Sequence, residues 1–251
     1  MDIMLKLLRR APTPIDMPPD WAAPKATIVV IGAPRSGTSL LCALMEATGQ
    51  LGGPDEFFKR DLRKYPDPSG RDDILHRLRL VPGRASPNGV ASFKLFWGQL
   101  KYARAKGCDL WRFFPDPIFV RVRREDVLGQ GISLALAKQT DKWSSRQRSS
   151  GTAHYSTKAI SDCMETIIRE NVEWDRYLAW RGIVPLSLTY ESIEMDHRAA
   201  LHAIADRAGV SLNAVPALDA AGLHRQRDET NEAWRSRWLA EPQLMAPMPK
   251  L

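Results

Sequence analysis

Residues 28–39 read Ile-Val-Val-Ile-Gly-Ala-Pro-Arg-Ser-Gly-Thr-Ser, and their order decides the fold. Ile28–Ile31 is an unbroken β-branched run, the pattern of a strand buried on both faces. The glycines at 32 and 37 bracket a turn, and a helix is predicted from Gly37 to Thr48 with Gly49 as its C-cap. Further strands are expected at Ser92–Trp97, Ile118–Val122 and Leu186–Tyr190. Helices are expected at about Asp126–Gln139, from Ser156 (N-cap) to Trp180 with Gly182 past the end, and at Arg198–Arg207, ended by Gly209. Strands separated by helices imply parallel β–α–β units, hence an α/β fold with a single doubly wound parallel sheet. Pro12, Pro14, Pro18, Pro19 and Pro24 mark residues 1–25 as an extended lead-in, which leaves 26–251 as the domain. Ser144–Ser150 is the one strongly loop-like internal stretch.

Composition narrows the function classes. The chain has 251 residues, 44% of them hydrophobic, enough for one sizeable core. No apolar run approaches the ~18 residues of a membrane span, and the short apolar start at Met1–Leu8 does not read as a signal peptide. The net charge of +7 points to an anionic partner. No nucleic-acid-binding signature accompanies that charge, so a nucleic-acid partner is not expected. Cys42, Cys108 and Cys163 are odd in number and form no CxxC, which suits a reducing, cytoplasmic setting. His197 and His202 do not share a helical face, so no metal site is expected.

The loop after the first strand carries the chemistry. Gly32 to Gly37 has P-loop spacing, followed by Thr38 and Ser39, but Thr38 stands where a P-loop lysine would be. A tight turn between strand and helix still aims backbone N–H groups and a positive helix end at one point, an anion site to which Arg35 adds a full charge. Without the lysine, a nucleoside triphosphate with Mg²⁺ fits less well than another phosphorylated ligand.

Pro34-Arg35-Ser36-Gly37-Thr38-Ser39-Leu40 resembles the 5′-phosphosulfate loop of sulfotransferases. The wider string from Arg35 to Gly49, continued by Gly53-Pro54-Asp55-Glu56-Phe57-Phe58, resembles the bacterial trehalose 2-sulfotransferase family, which includes lipopolysaccharide and Nod-factor-type enzymes. Ser86–Val90 with Lys94-Leu-Phe-Trp-Gly-Gln99 agrees, as do Arg123-Arg-Glu-Asp126 with Gln130–Ser133, and Arg225-Gln226 with Trp234. The likeness runs from about residue 27 to 238. It implies the P-loop sulfotransferase fold and 3′-phosphoadenosine 5′-phosphosulfate (PAPS) as sulfuryl donor. It also implies Glu56 as general base and Arg35 with the amides of Ser36–Ser39 against the leaving phosphate. Arg124 and Ser133 would then take the 3′-phosphate. Lys94, on a strand pointing into the same sheet end, is a candidate for the sulfate or bridging oxygen, Arg225 is a candidate to close over the nucleotide from the C-terminal segment, and metal-free chemistry is expected.

Three departures bear on the acceptor. Pro34 stands where the trehalose enzyme has a sugar-contacting glutamine, Gly53 replaces an acidic residue, and the stretch after Phe58 lacks a matching tryptophan. The acceptor is therefore read as a hydroxyl of a carbohydrate, glycolipid or small metabolite rather than as trehalose itself. A homodimer and a weak membrane-surface contact stay open. The alternatives are a P-loop kinase, which would want a lysine at Thr38, and a non-catalytic basic binding protein.

Overall fold

The computed structural model describes residues 12–60, 64–70, 73–143, 151–221 and 229–241. Its sheet comprises β1 (Ala26–Gly32), β2 (Val90–Phe96), β3 (Ile118–Arg123) and β4 (Leu186–Thr189). The order is β2-β1-β3-β4, and every pairing is parallel. The helices are α1 (Thr38–Ala47), α2 (Ile74–Leu80), α3 (Trp97–Ala105), α4 (Leu110–Phe113), α5 (Val127–Thr140), α6 (Thr157–Trp180), α7 (Tyr190–Met195), α8 (His197–Ala208) and α9 (Glu229–Ala240).

The β-branched run explains the layering. Alternate residues of a strand face opposite ways. Val29 and Ile31 join the cluster formed with α2, α3, α4 and the end of α6, whereas Ile28 and Val30 join the one formed with α1 and α8. All four are fully buried, at roughly 1.5–3 kcal/mol of transfer free energy each. Helices on both faces give the expected doubly wound fold.

Two predicted strand ends need correction. Trp97 begins α3 instead of ending β2, because the register closes at Gly32↔Phe96 and β1 offers no residue beyond it. Tyr190 begins α7, whose start is capped by Thr189 Oγ1 accepting from the Ser192 N–H at 3.0 Å. Ser156 caps the start of α6, its Oγ accepting from the Ala159 N–H, and Gly209 caps the end of α8 at φ 65°. Gly49, expected as the C-cap of α1, stands one residue past it at φ 65°, the C-cap being Thr48.

The chain runs from β1 to β2 on one side and returns to β3 on the other. The strand order therefore reverses between β1 and β3, where an open α/β sheet leaves a crevice at its C-terminal edge. The loops after β1, β2 and β3 all meet at that edge.

Candidate active site

The loop between β1 and α1 is shaped by its glycines. A Cβ on Gly32 would stand 2.6 Å from the Val122 carbonyl and 2.8 Å from Ser36 Oγ, so only glycine fits. Gly37 has φ 92°, and a Cβ there would meet the Tyr190 ring at 2.6 Å. Two residues of α5 hold the loop. Gln130 Nε2 donates to the Pro34 carbonyl at 2.8 Å, and Ser133 Oγ accepts from Arg35 Nε at 2.9 Å. Arg35 also donates to the Trp143 carbonyl and sits in the left-handed region at φ 64°. Such a conformation costs a non-glycine residue on the order of 1–3 kcal/mol, and these contacts hold it.

This cradle suits an anion. Gly37 supplies no side-chain cap to α1, so the N–H groups of its first turn point into the loop. Ser36 Oγ is buried there without a hydrogen-bond partner. Burial, then the nearby charge of Arg124, push the Arg35 guanidinium down to about 10, with Tyr190 opposing. An anion held against Arg35 would oppose both effects.

Arg124 follows β3 directly. Its guanidinium lies 5.0 Å from the centroid of the Tyr190 ring and 3.6 Å from Asp126 Oδ2. Asp126 caps α5 through the Gly129 N–H at 2.9 Å and pairs with Arg235 of α9. Burial, the largest single influence, would raise the Asp126 carboxyl, but the hydrogen bonds from Arg235 and the Gly129 N–H together with the charges of Arg235 and Arg124 outweigh it, and the group is held below the ordinary carboxylate range.

Glu56 enters from a third loop. Gly52 has φ 76°, and its N–H donates to Ser86 Oγ at 2.8 Å. A Cβ there would meet the Ser92 backbone nitrogen at 2.8 Å, so the loop presses against β2. The Lys94 N–H donates to the Asp55 carbonyl at 3.0 Å, and Phe57 and Phe58 are fully buried as anchors. Buried Arg77 donates to the carbonyls of Phe57, Lys59 and Arg60. So fixed, Glu56 Oε1 lies 2.8 Å from Lys94 Nζ, and Oε2 accepts from Gln99 Nε2 at 2.7 Å. Lys94 Nζ also donates to Ser39 Oγ at 3.0 Å, which ties the carboxylate to the first turn of α1.

Of the residues singled out in the sequence, those that the structure describes gather at this edge. Ser133, read beside Arg124, is bonded to Arg35; the two are 98 residues apart, and no spacing rule links them. Arg225 and Ser144–Ser150 lie outside the described residues. Tyr190, Gln130 and Asp126 escaped the sequence reading as site residues. Gln99 carries a local signal of its own, since a glutamine three residues after a strand end marks a helix start. Among the described residues no three His, Cys, Asp or Glu side chains gather as metal ligands, and no helix is long and apolar enough to cross a membrane.

Comparison with known proteins gives the family and the fold. Residues 27–241 match the family described as Stf0 sulphotransferase. The chain is 28% identical over 265 residues to trehalose 2-sulfotransferase of Mycobacterium tuberculosis, covering 87% of this chain and 97% of that one. It is 25% identical over 256 residues to trehalose 2-sulfotransferase of Mycolicibacterium smegmatis, covering 86% and 95%. Among solved structures, a sulfotransferase from Alicyclobacillus acidocaldarius superposes with TM-score 0.51 at 15% identity, covering 87% of this chain and 92% of that one. That likeness concerns the fold.

Proposed function

The chain belongs to the Stf0 sulphotransferase family, and from that membership we propose that this sulfotransferase draws its sulfuryl group from PAPS and delivers it to a carbohydrate hydroxyl with Glu56 as general base. Residues 26–251 are taken as one catalytic domain. The observation that carries the reading is the pair of cations at the switch point, Arg35 after β1 and Arg124 after β3, beside the Lys94–Glu56 pair. Two anion sites suit a nucleotide phosphorylated at both ends, and a kinase reading has no loop lysine to support it.

PAPS, when bound, supplies an electrophilic sulfur attached to an anionic leaving phosphate. Arg35, Ser36 and the first-turn N–H groups at Gly37, Thr38 and Ser39 would hold the phosphosulfate end, where fixed dipoles oppose growing charge. Ser133 and the Pro34–Gln130 contact keep Arg35 aimed. Arg124 would take the 3′-phosphate, and Arg225 would close over the nucleotide from the C-terminal segment. Lys94 would direct its ammonium N–H at the sulfuryl or bridging oxygen of the donor. Glu56 accepts the proton of the acceptor hydroxyl, which it must approach to ~3 Å.

Both curated relatives are named for trehalose, so that sugar is the first acceptor to test. Arg84 fills the space beside Gly53, with its Nε 3.1 Å from where a Cβ would stand. An acidic side chain at that position would need Arg84 to give way by a few tenths of an ångström, and this chain carries none there, so the acceptor panel extends to other sugars and glycolipids. A cytoplasmic setting suits the three buried free cysteines. The test is incubation with sulfur-labelled PAPS and this panel, with products resolved by mass spectrometry. Label on a sugar hydroxyl is the expected result. Transfer of phosphate from ATP, with none from PAPS, would overturn the reading.

A further inference from the structure

We infer that Gln99 is a positioning residue for the Glu56 carboxylate, an inference that rests on Glu56 being the base. The two ends of its amide are committed to different partners. Oε1 accepts from the Phe96 backbone N–H at 3.1 Å, at the N-cap of α3. This is half of a capping box, since Phe96 has no side-chain oxygen to complete the other half. With its oxygen engaged by a backbone donor, the amide cannot turn over. Turning would set its NH₂ against the Phe96 N–H and its oxygen against a carboxylate. Nε2 is therefore directed at Glu56 Oε2, 2.7 Å away.

The consequence falls on the carboxylate. Lys94 holds Oε1 and Gln99 holds Oε2, one protein donor on each oxygen. Each oxygen keeps acceptor capacity for a substrate proton, but rotation of the carboxylate would break both contacts. Gln99 is buried on α3, which begins where β2 ends. The donor is thereby fixed by the sheet, and the Glu56 carboxylate is oriented from a rigid element as well as by the loop that carries it.

Gln99→Glu separates this role from mere helix capping. Glutamate retains an acceptor for the Phe96 N–H, so the cap survives, but once ionised it has no proton for Glu56 and sets a like charge beside it. The expected result is an unchanged donor KM with kcat lowered about 10²-fold, the scale of a small misplacement at a reacting centre, and a melting temperature that falls at neutral pH, where the two carboxylates repel, and recovers towards acid. The acid limb of kcat/KM should move to higher pH, because a neighbouring carboxylate disfavours the charged base. Gln99→Met removes cap and donor together and should lose kcat to a similar extent with a lower melting temperature. In a Glu56→Gln background, Gln99→Glu should lower the rate little further, since both act through one group. Wild-type kcat and an unmoved acid limb in Gln99→Glu, with Glu56→Gln impaired, would overturn the role of Gln99 alone. Full turnover in Glu56→Gln would overturn the base assignment and this inference with it.

Discussion

The Glu56 carboxylate and the Lys94 ammonium form an ion pair, 2.8 Å from Oε1 to Nζ, in which the lysine side chain is only 8% exposed and the glutamate 25%. A buried ammonium needs such a partner, because burial alone disfavours its charge. The same ammonium reaches Ser39 Oγ on α1. Lys94 therefore spans the loop proposed to hold the leaving phosphate and the group proposed to take the acceptor proton.

Lys94→Met should destabilise the fold by on the order of 2 kcal/mol at neutral pH, since it strands a partly buried carboxylate. Burial, the largest single influence, lowers the affinity of Lys94 for its proton, but the charge and hydrogen bond of Glu56 together with the neighbouring Cys42 and Asp55 outweigh it, and the group is held above its ordinary value of 10.5. The stabilisation is thus fully present below that value and is lost as pH rises through the higher folded one. Denaturant titrations across pH 7–11.5 check this. The gap between wild type and Lys94→Met should narrow only at the alkaline end.

Asp126 has two duties that substitution can separate. Asparagine is as good an N-cap as aspartate, so Asp126→Asn should keep α5 intact while removing the counter-charge of Arg124 and Arg235. Asp126→Ala loses the cap as well and should cost about 1 kcal/mol more in chemical denaturation. The carboxyl is held below its ordinary 3.8. Its contribution is therefore present above that pH and lost as pH falls through the lower folded value, a loss that neither variant should show.

Much of this was legible in the residues themselves. The Ile28–Ile31 run, the glycines at 32 and 37 and the caps at Ser156 and Gly209 act locally, and local rules find them. The helices that were missed are mostly short: α2, α4 and α7 have seven, four and six residues, too few for a period to show. The Arg35–Ser133 and Gln99–Glu56 contacts were out of reach for another reason. They join residues 98 and 43 positions apart, and only the assembled sheet edge brings them together.

Arg124→Ala probes the second anion site. Loss of a charged hydrogen bond to a 3′-phosphate should weaken 3′-phosphoadenosine 5′-phosphate by roughly 1.5–3 kcal/mol in calorimetric titration. AMP, which lacks that phosphate, should be unaffected. Equal losses for the two ligands would make Arg124 a structural residue.

Arg35 should behave as a residue whose worth appears only with ligand. At ~100 times its Kd, 3′-phosphoadenosine 5′-phosphate should stabilise the wild type by about 2.7 kcal/mol, and ATP by far less. Arg35→Gln removes a cation that burial and Arg124 already disfavour. The ligand-free variant should therefore stay within about 1 kcal/mol of wild type while losing most of the ligand-induced shift, as read by thermal denaturation.

Glu56→Gln carries the most direct test, in single-turnover sulfuryl transfer from PAPS to any accepted sugar. Glutamine keeps the size of the side chain and its contact with Lys94 but accepts no proton. Binding of 3′-phosphoadenosine 5′-phosphate should be unchanged, because the phosphate contacts belong to Gly32–Ser39 and Arg124. The rate should fall by about 10²–10⁴-fold, the contribution of a general base, and lose its acid limb. A variant that transfers sulfuryl groups at the wild-type rate, with the acid limb intact, would contradict the account.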